Sequence, residues 1–150
     1  MIGYSIIGAA LVAGTVIVHA LGTVLLIRLL APHKTGQTAA PTWQRASKVL
    51  IGTVMLLLVL HLIEIVVWAV AYLLLDPGSD LPTFGDAIYF SLVTYTTLGY
   101  GDITLSGPWR VMSGIEALNG MLLAGWSTAT LFVVVQKVMQ AYRLQPGDSP

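Results

Sequence analysis

The stretch Thr97-Leu98-Gly99-Tyr100-Gly101-Asp102 is suited to exchanging a cation's water shell for main-chain oxygens. A ring of backbone carbonyls contributed by several chains can replace the hydration of a bare cation. Consecutive carbonyls of an ordinary strand alternate in direction, so lining one path with all of them demands unusual backbone angles. Gly99 and Gly101 can take such angles, because glycine enters positive-φ regions at little steric cost. The expected ligands are the carbonyls of Thr97, Leu98, Gly99 and Tyr100 together with the Thr97 hydroxyl. The side chains of Leu98 and Tyr100 are expected to point outward, into packing that fixes the ring's diameter. The competing reading is a polar turn, since Gly and Asp are common in turns.

The elements that must hold this stretch are apolar. The sequence is 56% hydrophobic and 9% charged over 150 residues, against about a quarter charged in soluble domains, so an all-α integral membrane protein is expected. With no cysteine, disulfides, thiolate metal sites and thiol catalysis are excluded. Ile2 to Leu30 is long enough to cross about 30 Å of hydrocarbon, and without a basic start it reads as a retained transmembrane helix, not a signal peptide. Gly3, Gly8, Gly14 and Gly22 along it could admit close helix neighbours. Residues 31–47 read as a loop, with Trp43, Arg45 and Lys48 leading into a second helix from Lys48 to Leu75. Asp76-Pro77-Gly78-Ser79-Asp80 ends that helix with turn chemistry. Phe84 to Thr96, at about 18 Å of helix, is too short to span and reads as a re-entrant helix with its negative dipole end toward the cation path. A third span runs from Arg110 to Val135.

The stretch 97–102 between two apolar spans resembles the selectivity filter of the tetrameric potassium-channel superfamily, whose usual form has Val where Leu98 stands. The likeness covers residues 48–140 as outer helix, pore helix, filter and inner helix, most similar to short bacterial proteins with one pore per subunit. Residues 1–30 are then an additional transmembrane helix, 31–47 a cytoplasmic loop and 141–150 a short cytoplasmic tail. The resemblance implies a homotetramer in the lipid bilayer conducting K+ through Thr97, Leu98, Gly99 and Tyr100. Gly101, Asp102, Tyr89, Phe90, Thr94 and Thr96 would support the filter. Tyr89 either donates its hydroxyl to Asp102 or makes only an aromatic packing contact. Val93 stands where some relatives carry a glutamate that pairs with the aspartate. The hinge glycine of relatives corresponds to a position beside Gly120, with Gly125 a turn further on, and either serves bending or close packing.

Glu64 and Glu116 interrupt apolar spans, where an unpaired charge costs several kcal/mol, and are modulatory candidates together with His61. Glu116 could hydrogen-bond Ser91, Thr94 or Thr96 in place of the missing carboxyl, or be a protonated or snorkelling side chain of no consequence for conduction. His61 and Glu64 share a helical face, yet two metal donors without a third nearby in sequence do not make a metal site. His19 reads as a helix-contact residue. Arg28, Lys34, Arg45, Lys48, Lys137 and Arg143 fall on one side, while Asp76, Asp80, Asp86 and Asp102 fall on the other with Arg110. By the positive-inside rule the C-terminus is cytoplasmic and the filter mouth faces outward, in a bacterial inner (plasma) membrane. No Arg or Lys series marks a voltage sensor, and the residues after Gln140 are too few for a gating domain. No catalytic motif, nucleic-acid partner or cofactor is expected beyond K+ as permeant ion. The rival functions are a weakly selective cation channel and a non-conducting membrane scaffold or accessory subunit.

Overall fold

No proline falls within any of the four helices described, so each runs uninterrupted. The computed structural model describes residues 2–30, 42–75 and 81–143. They form α1 (Ile2–Leu30), α2 (Trp43–Leu75), α3 (Phe84–Tyr95) and α4 (Trp109–Arg143). Three of these are long and apolar enough to cross a membrane, over Gly3–Leu30, Trp43–Leu75 and Trp109–Ala141. They are apolar nearly all round, and Leu21 and Leu122 stay 65% and 71% exposed, which suits a lipid solvent rather than water.

Two boundaries differ from the sequence reading. Residues 43–47, expected in a loop, open α2, because the Thr42 hydroxyl and carbonyl accept the Arg45 amide at 3.3 and 2.9 Å and start the helix there. The third span does not stop at Val135, since Gln136, Lys137 and Gln140 are good helix formers and no breaker occurs before Pro146. Lys34, the turn from Asp76 to Asp80 and residues 144–150 lie outside the described residues.

Grooves between the helices fix their directions. The last turns of α1 meet the first turns of α2 at Arg45 and Lys48 and the end of α4 at Lys137. The start of α1, at Tyr4 and Ser5, faces the start of α4 at Val111 and Met112. Thus α1 runs antiparallel to α2 and parallel to α4, gathering Arg28, Arg45, Lys48 and Lys137 at one end of the bundle. Close approach of α1 is bought with small residues. A Cβ on Gly8 would sit 2.9 Å from the Met112 sulfur, and one on Gly22 would overlap the Leu60 side chain, whereas Gly3 and Gly14 have nothing near them.

The short α3 sits in the angle between α2 and α4. Its N-terminus is closed by a capping box: the Thr83 hydroxyl accepts the Asp86 amide at 3.1 Å while Asp86 Oδ2 accepts the Thr83 amide at 3.2 Å. The core beneath it joins Trp68 and Tyr72 of α2, Phe90 and Tyr95 of α3, and Trp109 and Met112 of α4. α1 lays Tyr4, Ile7, Leu11 and Val12 against this cluster.

Candidate functional site

Helix α3 ends in carbonyls that have no intrahelical partner, and residues 97–99 take them. The Thr97 amide donates to the Thr94 carbonyl at 2.9 Å, and the amides of Leu98 and Gly99 both donate to the Val93 carbonyl, at 3.0 and 3.2 Å. The peptide bonds described are all trans, and across a planar trans peptide the N–H and the preceding C=O point in opposite directions. The carbonyls of Thr96, Thr97 and Leu98 therefore face away from α3, on one side of the chain. Backbone angles continue the pattern: Thr97, Gly99 and Gly101 have φ of 59°, 55° and 78°, with Leu98 and Tyr100 at negative φ between them. Alternating the handedness of successive residues turns their amides to one side and hence their carbonyls to the other. Thr97 adopts this geometry despite its β-branch, a strained placement that costs about 1–3 kcal/mol.

Leu98 and Tyr100 are 56% and 67% exposed. The packing expected around them does not come from within one chain. Around the stretch, the Tyr89 hydroxyl donates to Asp102 Oδ2 at 2.6 Å. That bond, opposed by partial desolvation, holds the Asp102 carboxyl below the ordinary aspartate value. Phe90 is buried, edge-on to Tyr72 with ring centroids 5.4 Å apart. Thr94 is half-buried, and the Thr96 hydroxyl is spent on the Leu92 carbonyl at 2.6 Å. Of Ser91, Thr94 and Thr96, Ser91 is the one that reaches Glu116, donating to Oε1 at 2.7 Å, while Tyr72 donates to Oε2 at 2.7 Å. Glu116 thus ties α2, α3 and α4 together beneath the stretch. Gly120 lies directly under the end of α3, where an added Cβ would overlap the Tyr95 carbonyl; Gly125 has nothing within 4 Å.

A sequence profile of the ion channel family matches residues 58–137, more than half of the chain. The chain belongs to the ion channel family. A curated protein of Aeropyrum pernix named voltage-gated potassium channel is 34% identical over 80 residues, covering 50% of this chain and 25% of that protein. The chain thus spans about a quarter of the length of that relative. No solved structure matches it. Family membership and three helices long and apolar enough to cross a membrane make the chain an integral membrane protein.

The channel also holds a polar cluster that the sequence did not announce. Glu64 is fully buried and meets His19 Nδ1 at 2.9 Å from Oε1 and His61 Nδ1 at 3.2 Å from Oε2. The Tyr95 hydroxyl donates to Glu64 Oε2, and Ser127 Oγ meets the Nε2 atoms of His61 and His19 at 2.9 and 3.3 Å. His19 is therefore more than a helix-contact residue. Spacing linked only His61 to Glu64, because the other members come from three different helices. Asn119, which shares a face with Glu116, instead donates to Thr15 of α1 at 2.8 Å.

Proposed function

We propose that four copies of this chain assemble about one axis as a potassium-selective channel. The carbonyls of Thr97, Leu98, Gly99 and Tyr100, with the Thr97 hydroxyl, form the K+ ligands. The observation that carries this reading is the anchoring of three successive amides on α3, which frees the preceding carbonyls toward a common side. One chain supplies only part of a cation's shell, so a closed ring of copies is required. The exposed flanks of Leu98 and Tyr100 are the surfaces that neighbouring copies cover. The Aeropyrum pernix relative, named a potassium channel, supports K+ as the ion. Gly101, Asp102, Tyr89, Phe90, Thr94 and Thr96 brace the ring. Residues 48–140, extended at both ends to the observed limits of α2 and α4, are the pore module, with α1 an added outer helix. The basic end is cytoplasmic, the mouth beside Asp86 and Asp102 faces outward, and the membrane is a bacterial inner membrane. Gly125 is the point at which α4 has room to bend.

Purified protein in liposomes tests the reading. Potassium efflux that is blocked by barium and abolished by Gly99→Ala is the expected result. A verified tetramer with no flux would establish the non-conducting scaffold instead. Leu98, one methylene larger than valine, favours a second reading of weaker selectivity, and bi-ionic reversal potentials in K+ against Na+ decide between the two.

A further inference from the structure

We propose that His19, His61 and Glu64 form a binding site for a divalent transition-metal ion of the zinc type, clamping α1 to α2 behind the end of α3. Among the described residues these three bring one donor atom each to within 4.8 Å of one another. Two imidazoles and a carboxylate are a donor set that zinc accepts, and four-coordinate bonds of about 2.0–2.1 Å place donors roughly 3.3 Å apart. The two imidazoles already flank the carboxylate, His19 Nδ1 at 2.9 Å from Oε1 and His61 Nδ1 at 3.2 Å from Oε2. A fourth position adjoins the Tyr95 hydroxyl, 3.0 Å from His61 Nδ1.

The surroundings behave as outer partners of a metal site. Both Nε2 atoms converge on the single Ser127 oxygen, and Tyr95 donates to the carboxylate. Partners of this kind fix which imidazole nitrogen ligates and how the ring is turned. Counting hydrogens shows why a cation is wanted. The contacts close a ring, His19 to Glu64 to Tyr95 to His61 to Ser127 and back to His19. With an ionised carboxylate and neutral imidazoles, each ring, the phenol and the serine bring one hydrogen apiece, one fewer than the contacts require. A metal ion on both Nδ1 atoms removes the shortage. Each imidazole then turns its single N–H to Ser127, whose oxygen has two lone pairs, and the three remaining lone-pair donors face the ion. The ion also gives a direct countercharge to a carboxylate that is sealed from solvent within a membrane-spanning helix, where an unpaired charge is costly. The edge of His61, 19% exposed, is the way in.

The site depends neither on the ion carried by residues 97–100 nor on assembly, so it is tested by binding alone. Tag-free full-length protein in detergent is stripped with a chelator and titrated with Co2+, then with Zn2+ as competitor. Expected are the visible bands of a four-coordinate Co2+ complex, displacement by Zn2+, and one ion per chain by elemental analysis. His19→Gln should weaken binding by about a hundredfold, and Ser127→Ala, which keeps all three donors, by about tenfold. Circular dichroism and elution volume verify folding. If His19→Gln fails to fold, the wild-type spectrum and Ser127→Ala decide alone. Wild-type protein that gives no cobalt bands and retains no zinc would overturn the site and leave an extra proton as the ring's missing charge. Equally, binding that is unchanged in a folded His19→Gln protein would place the ion elsewhere.

Discussion

At the scale of single residues, the Tyr89–Asp102 bond makes the outer end of the proposed filter sensitive to acid. The Asp102 carboxyl is held below its ordinary value, first by the Tyr89 hydroxyl and against a smaller opposing effect of desolvation. A depressed folded value means that the bond's contribution is complete above the ordinary aspartate value and is lost as pH falls through the lowered one. Wild-type potassium flux should therefore survive to lower pH than that of Tyr89→Phe, in which Asp102 titrates nearer its ordinary value. Superimposable acid limbs in liposome flux would show that the bond does not shape the filter. Glu116 makes a different case, because both its oxygens accept donors from other helices. Glu116→Gln turns an amide N–H toward one of those hydroxyls and leaves a buried group unsatisfied, which costs about 1–3 kcal/mol. Denaturant unfolding in detergent should register a loss of that size, and an unchanged midpoint would mean that the network is dispensable.

At the scale of elements, the angle between α3 and α4 depends on Gly120. An alanine there would place its Cβ in the Tyr95 carbonyl, which is backbone and cannot turn aside, so α4 must shift. Overpacking of this kind costs about 1–3 kcal/mol, and Gly120→Ala should lower the unfolding midpoint and potassium flux together. Gly125→Ala meets nothing within 4 Å and should leave stability near wild type, so equal losses from both variants would contradict the packing role of Gly120. Much at this scale was readable beforehand. The bounds of α3 were legible to within one residue because an apolar run too short to span a membrane stands there, and the 97–102 stretch because its glycines alternate; the Thr83–Asp86 cap was not read beforehand. The start of α2 was misplaced by five residues, since Pro41, Trp43 and Arg45 suit an interfacial loop as well as a first helical turn, and only the Thr42 cap decides. The packing of Gly120 and the donors to Glu116 from Tyr72 and Glu64 from Tyr95 were hidden for one reason: each is a contact between helices, and periodicity within a helix carries no record of its neighbour.

At the scale of the whole molecule, the exposed stretch from Thr96 to Asp102 is out of balance in a single chain. It carries a strained Thr97, and among the described residues no backbone donor meets its carbonyls on one side. A ring of copies without an ion would make this worse, since it brings those oxygens face to face. The permeant ion should then be a structural component of the assembly, binding the ring and not the separated chains. Ligand linkage sets the scale: an ion at a hundred times its dissociation constant stabilises the bound form by about 2.7 kcal/mol per site. Tetramers in potassium should therefore resist dissociation by heat or detergent more than tetramers in sodium or choline at equal ionic strength, and Gly99→Ala should erase the difference by breaking the alternation that aligns the oxygens. Native mass spectrometry over a temperature series reads this directly. Equal stability in all three salts would mean that copies meet through their helices alone and that residues 97–100 do not enclose a potassium ion.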